Sequence, residues 1–238
     1  MFGERRSLDS RFTLLACSTI GMTPSGETGK RGVPVSHAKL ALVAIPDKSN
    51  GYEDIAPIYI AGRGRSVSGI GASVVTDWSK TLPDGATVLD LGCGTGVPIT
   101  KTLIERGFDV YAIDASPSMI AAFRARFPTI PVECAAVEDS DFFGRTFEGV
   151  VAWGLFFLLD ADVQRNLIAK IAAVLPSGGR LLFTATKQSC TWTDGMTDRP
   201  SISLGHDLYR NALEAEGLSV VGTQLDVGEN YYYFAQKT

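Results

Sequence analysis

Residues 87–99 read Thr87-Val-Leu-Asp-Leu-Gly-Cys-Gly-Thr-Gly96-Val-Pro-Ile99. Thr87, Val88, Leu89 and Leu91, interrupted only by Asp90, have the apolar and β-branched character of a buried strand. Glycines at 92, 94 and 96 follow, where backbone can pass close to a ligand with no Cβ in the way. Pro98 suits the first turn of a helix, where its missing N–H costs nothing. Strand, glycine loop and helix N-terminus in succession leave free amides and a partial positive charge facing the loop.

The spacing of the glycines narrows the choice. The dinucleotide pattern G-x-G-x-x-G needs glycine at 97, where Val97 stands, and the phosphate-binding pattern G-x-x-x-x-G-K-[ST] is absent. A second strand over Asp109–Ile113 ends in Asp114, whose carboxylate can accept two hydrogen bonds from ribose hydroxyls. The D-x-G-x-G-x-G loop followed by this acid resembles the class I S-adenosylmethionine-dependent methyltransferases. In that resemblance the loop is the family's first motif and Asp114 its second, and the likeness covers roughly residues 50–238.

The rest of the chain reads in the same alternating way. Ile99–Arg106 is a helix closed by Gly107 at a C-terminal cap. Ser116-Pro-Ser118 opens a second helix with a side-chain cap and proline in its first turn, and it stops at Pro128. Val132–Cys134, Phe147–Ala152 and Arg180–Ala185 read as further strands, with a helix through Val163, Leu167, Ile171 and Leu175. His206–Glu216 is a last helix, followed by two strands, Leu218–Val227 and Asn230–Gln236, joined across Gly228-Glu229 as a hairpin. The alternation makes the chain α/β, and the resemblance implies the family's fold: a Rossmann-like three-layer sandwich on a seven-stranded, mostly parallel sheet, with an antiparallel C-terminal hairpin strand. The hairpin agrees with the resemblance, since a dinucleotide-binding domain does not need it.

Upstream, residues 1–45 carry no convincing period, and the Gly/Ser/Thr/Pro-rich stretch Thr23–Pro34 reads as a flexible extension. A short helix over His37–Ile45 is the other reading. The resemblance implies a methyltransferase domain over 46–238, beginning with a helical lid over 46–80. That lid has a short helix through Tyr59, broken around Pro57, and a second over Ser66–Lys80 carrying Val67, Ile70, Val74 and Trp78.

Composition bounds the function. The 238 residues, 45% hydrophobic and 20% charged, describe a soluble globular protein. A net charge of −4 gives no electrostatic footprint for nucleic acid. The apolar run Gly149–Leu159 is too short to span a bilayer, which needs roughly 18 residues. Leu14-Leu-Ala-Cys17 imitates a lipoprotein cleavage box, but the apolar segment before it is too short, with Asp9 and Arg11 inside it. Four scattered cysteines and two histidines form no metal-type spacing, so no metal is expected and a cytoplasmic location is.

The resemblance implies S-adenosylmethionine as cofactor, S-adenosylhomocysteine as product, and roles for particular residues. Gly92, Gly94 and Gly96 give backbone approach, and Asp90 with the Cys93 amide orients the methionine end. Asp114 binds the ribose. Ala115 and Met119, with Val137 and Glu138, enclose adenine, although Ala136 replaces the acid many relatives carry. Trp153, emerging from the fourth strand, lines the place where cofactor and acceptor meet. Tyr52, Tyr59, Phe156, Trp192 and Tyr231 are candidates for the acceptor pocket.

No N/D-P-P-Y/F follows the fourth strand, and no Pro-Cys pair suggests attack on a pyrimidine. The insert Gln188–Leu204 is where related enzymes often recognise small acceptors. His206 is the candidate general base, weighed against an ordinary place in the first turn of the last helix. The leading expectation is a monomeric or homodimeric enzyme methylating a small molecule at N, O or S. A methyltransferase acting on tRNA or protein, and a non-catalytic cofactor-binding module, are the other two readings.

Overall fold

The computed structural model describes residues 47–62, 64 and 69–238. The expected extension over 1–45, the alternative helix over 37–45 and Val67 lie outside the described residues. Strand β1 (Thr87–Leu91) pairs in parallel with β2 (Asp109–Asp114) on one side and β4 (Gly149–Ala152) on the other. With β3 (Val132–Cys134), β5 (Arg180–Thr184), β8 (Leu218–Leu225) and β9 (Tyr231–Lys237) they form a seven-stranded sheet of order β3-β2-β1-β4-β5-β9-β8. Only β9 runs against its neighbours, antiparallel to both β5 and β8.

Alternation along the strands sends side chains to two helical layers. Val88, Val110, Val151, Leu182 and Tyr232 pack against α2 (Ala72–Ser79) and α3 (Ile99–Glu105), and Ala112 against Ile120 and Phe123 of α4 (Pro117–Arg126). On the other face Leu89, Ile113, Val150, Leu181, Phe183 and Tyr233 meet α5 (Ala161–Val174) and α6 (His206–Ala215). β4 is buried at all four positions, as a central strand covered on both faces must be. Each large side chain buried this way contributes roughly 1.5–3 kcal/mol.

Three details differ from what the sequence implies. The second helix, expected over Ser66–Lys80, spans Ala72–Ser79, so Ile70 lies ahead of it, because Gly71 stands at its N-cap with a left-handed backbone. Pro57 does not break the first helix but begins it: α1 spans Ala56–Ala61 with the proline in its first turn, where no N–H is needed. The insert Gln188–Leu204, for which the sequence suggests no strands, holds a hairpin, β6 (Cys190–Thr193) paired with β7 (Pro200–Ser203). Asp194 closes it by accepting the Met196 and Thr197 amides on Oδ1, at 2.9 and 3.0 Å.

Candidate functional site

An open cleft lies beyond the carboxyl ends of β1, β2 and β4, where ligands sit in open α/β sheets. Its floor is the glycine loop. The Gly92 and Cys93 amides both donate to the Ile113 carbonyl, at 2.8 and 3.0 Å, which locks the loop to the end of β2. The Gly94 amide donates to Asp114 Oδ2 at 2.8 Å, while the Ser116 amide donates to Oδ1 at the same distance. Asp114 thus joins the two motifs, and each of its oxygens keeps a lone pair for a ligand. Burial raises its carboxyl above the ordinary value, and the two amides oppose that rise.

The three glycines do different work. A Cβ on Gly94 would meet nothing within 4 Å, so this position opens onto the cleft. On Gly92 it would press the Leu155 side chain at 3.2 Å. On Gly96 it would lie 2.5 Å from the Phe127 ring and 2.9 Å from that of Phe123. Gly96 therefore admits the α4 aromatics rather than a ligand.

Residues 47–62 and 64 close one side of the cleft through bonds to three separate elements. Glu53 accepts from Ser116 Oγ at 2.5 Å, from Ser118 Oγ at 2.7 Å and from the Ser118 amide at 3.0 Å, at the start of α4. Lys48 Nζ reaches Asp139 at 2.6 Å and Glu138 at 3.3 Å. Thr95, buried in the glycine loop, donates to the Gly64 carbonyl at 2.9 Å. Opposite, Lys170 of α5 donates to the carbonyls of Val137, Glu138 and Ser140, holding the loop after β3. Burial lowers the Lys170 amine, and nearby acids (Glu138 first) oppose that.

Residues 88–179 match the family described as a methyltransferase domain. An uncharacterized methyltransferase of Mycobacterium bovis is 36% identical over 106 residues, covering 44% of this chain and 41% of that protein. The cypemycin N-terminal methyltransferase of a Streptomyces species is 36% identical over 120 residues, 49% of each chain. Over these residues the chain is similar to S-adenosylmethionine-dependent methyltransferases. It spans about half the length, or less, of these curated relatives. In fold it is similar to a Burkholderia thailandensis 1,6-didemethyltoxoflavin-N1-methyltransferase, with a TM-score of 0.63 at 21% identity over 87% of this chain and 93% of that one.

The cleft brings together Asp90, Gly92, Cys93, Gly94, Asp114, Ala115, Met119, Val137, Glu138 and Trp153, with Tyr52 and Tyr59. The two tyrosine rings meet edge to face at 5.8 Å. Gly96 does not line the cleft, and the Cys93 amide is spent on Ile113 instead of facing a ligand.

Three acceptor-side candidates and the proposed base lie elsewhere. Phe156 is fully buried, its ring 4.3 Å from Phe183, because the single 3-10 turn Phe156–Leu158 rotates it inward. Leu155, Leu158 and Leu159 face the cleft in its place. Trp192 packs on Phe157 at 5.6 Å, and Tyr231 on Tyr233 at 5.2 Å. His206 begins α6 with its ring stacked on Tyr233 at 5.8 Å, outside the cleft lining.

Asp90 is 1% exposed and accepts from Thr100 Oγ1 at 2.5 Å. Burial pushes its carboxyl up to about 7; the Thr100 bond opposes the push and the Asp114 carboxylate adds to it. The folded state therefore holds a proton that the unfolded chain has released once the pH passes the ordinary value of 3.8. Stability falls as pH rises from there to about 7, and the whole loss is present above that. Asp90→Asn should flatten this slope and melt at least about 2 °C higher than the unaltered protein at alkaline pH. Parallel melting curves for the two proteins across that range would rule this out.

Proposed function

We propose that the chain is a cytoplasmic enzyme that transfers a methyl group from S-adenosylmethionine to a small molecule at N, O or S. One observation carries the reading: the only glycine of the loop with open space at its Cβ sits beside a carboxylate that ends the neighbouring strand. Those residues fit the cofactor. Asp114 offers lone pairs to the ribose hydroxyls, and Gly94 leaves room for the chain that bridges to the methionine end. Ala115, Met119, Val137 and Glu138 provide an apolar slot with one carboxylate for adenine.

When bound, S-adenosylmethionine supplies a methyl group already activated for in-line displacement. The protein's part is then to hold two reactants at close, collinear range and keep water out. Leu155, Leu158 and Leu159 make that side of the cleft apolar, and the Tyr52, Tyr59 and Trp153 faces suit a cationic sulfonium. His206 has no part in this, and an acceptor that arrives with a free lone pair needs no base. A nitrogen acceptor is favoured by the similar proteins named for N-terminal and N1 methylation. The domain is read as residues 46–238, with 46–80 as a partial lid.

Calorimetric titration with S-adenosylhomocysteine should give a dissociation constant of about 1–100 μM, that is, −8 to −5.5 kcal/mol. Binding of NAD in place of the adenosyl ligand would overturn the reading. A metabolite screen with methyl-labelled cofactor, following both the transferred label and the demethylated product, then identifies the acceptor. Lys170→Met should weaken S-adenosylhomocysteine binding about fivefold, because each charge-assisted bond to the 137–140 loop is worth about 1.5–3 kcal/mol and part of that loop's order is lost. Unchanged affinity would show that the loop does not depend on the lysine.

A further inference from the structure

The wall of the cleft formed by Trp153 is held from outside the cleft. Trp153 leaves the end of β4 half-buried, and its indole Nε1 donates to Tyr232 Oη at 2.9 Å. Tyr232 stands fully buried in β9, which is separated from β4 by β5 alone, 79 positions along the chain. Its hydroxyl donates to Asp226 Oδ2 at 2.7 Å. Asp226 begins the β8–β9 turn and organises it, accepting the Gly228 and Asn230 amides on Oδ1 at 2.8 and 2.9 Å and the Asn230 side-chain amide at 3.1 Å.

The direction of this chain of bonds is settled by chemistry. Trp153 Nε1 can only donate, and a carboxylate can only accept. Tyr232 is the one group that does both, so its proton points to Asp226 and its lone pair to the indole. Burial, reinforced by the Asp226 contact, raises the phenol far above its ordinary value, so the proton stays in place at any working pH. The indole is also confined on another side. A Cβ on Gly71, at the start of α2, would lie 2.8 Å from Trp153 Nε1, so only glycine fits there. The neighbouring Ile70 packs on Gly228 of the same turn, where an added Cβ would lie 2.9 Å from its side chain.

We infer that Tyr232 is a positioning residue of the cleft: its hydroxyl fixes the Trp153 indole and anchors that wall to the Asp226 turn between β8 and β9. The functional consequence rests on the proposed reading of the cleft, but the fixing of the indole does not. A side chain of the C-terminal hairpin thereby sets the shape of a site built at the ends of β1, β2 and β4. A buried hydroxyl with both a donor and an acceptor in place orients its neighbours more tightly than packing alone.

Two measurements test it. The protein has three tryptophans, so its indole N–H signals are three, and the Trp153→Phe variant assigns the one at issue. Exchange of that proton with solvent should be at least about tenfold faster in Tyr232→Phe than in the unaltered protein, because the bond that protects it is gone. Equal exchange rates would overturn the proposal, whatever the cleft binds. For the consequence, S-adenosylhomocysteine affinity should drop about fivefold in Tyr232→Phe and again about fivefold in Trp153→Phe. The double variant should then lose no more than either single one, since both substitutions remove the same bond. Fully additive losses would show that Tyr232 does not act through Trp153. If Tyr232→Phe does not fold, Trp153→Phe reads the same bond from its other end, and full affinity in that variant overturns the proposal. An unaltered protein that binds no adenosyl ligand, yet shows the expected exchange difference, overturns the function and leaves the positioning role standing.

Discussion

Asp114→Ala is expected to lower the affinity for S-adenosylhomocysteine by at least tenfold, measured by calorimetry at fixed pH and salt. Each hydrogen bond to a charged group is worth about 1.5–3 kcal/mol, which corresponds to about ten- to a hundredfold. Asp114 makes two such bonds inside the protein, to the Gly94 and Ser116 amides, and the proposed ribose contact adds to them. The alanine variant loses the ligand contact and also frees the glycine loop from the start of α4. Asp114→Asn separates these effects. It keeps one accepting oxygen, so it should preserve the melting temperature better than alanine while still binding weakly. Full affinity in Asp114→Ala would remove the basis for the assigned cofactor site.

The second large effect is a contrast between two glycines two positions apart. Gly94→Val places a branched side chain in the open space of the cleft, at a φ of +54°. The left-handed backbone costs about 1–2 kcal/mol, so the variant should fold with a modest drop in melting temperature. Binding of the adenosyl ligand should be lost. Gly96→Ala does the reverse. Its Cβ would enter the Phe123–Phe127 pair, whose rings lie 5.2 Å apart, at distances that force backbone or ring movement. Overpacking of this kind costs about 1–3 kcal/mol, and the φ of +79° adds strain. That variant should lose several degrees of stability, with any loss of binding following from it. Should Gly94→Val bind normally and Gly96→Ala melt normally, the division of labour in the loop is wrong.

These two positions show where reading by motif stops. All three glycines fit one spacing, and the spacing alone assigns them one role. Their surroundings divide them, because the Phe123 and Phe127 rings pack against position 96 while position 94 opens onto the cleft. Asp114 was different. The acid closes a strand that begins after a capped helix, and its place at the strand end follows from local pattern alone.

What the sequence determined by itself is the frame: alternating strands and helices, the glycine loop, the acid ending the next strand, and the closing hairpin that reverses the last strand. Each of these is written in neighbours a few residues apart, through hydrophobic period, caps and turn residues. The tertiary structure alone decided which side chains meet in the cleft. A 3-10 turn hides Phe156 and presents three leucines, Glu53 reaches a helix start 63 positions away, and Lys170 holds a loop some 30 positions upstream. The physical reason is that packing between distant segments chooses a side chain's direction, and no local period carries that information.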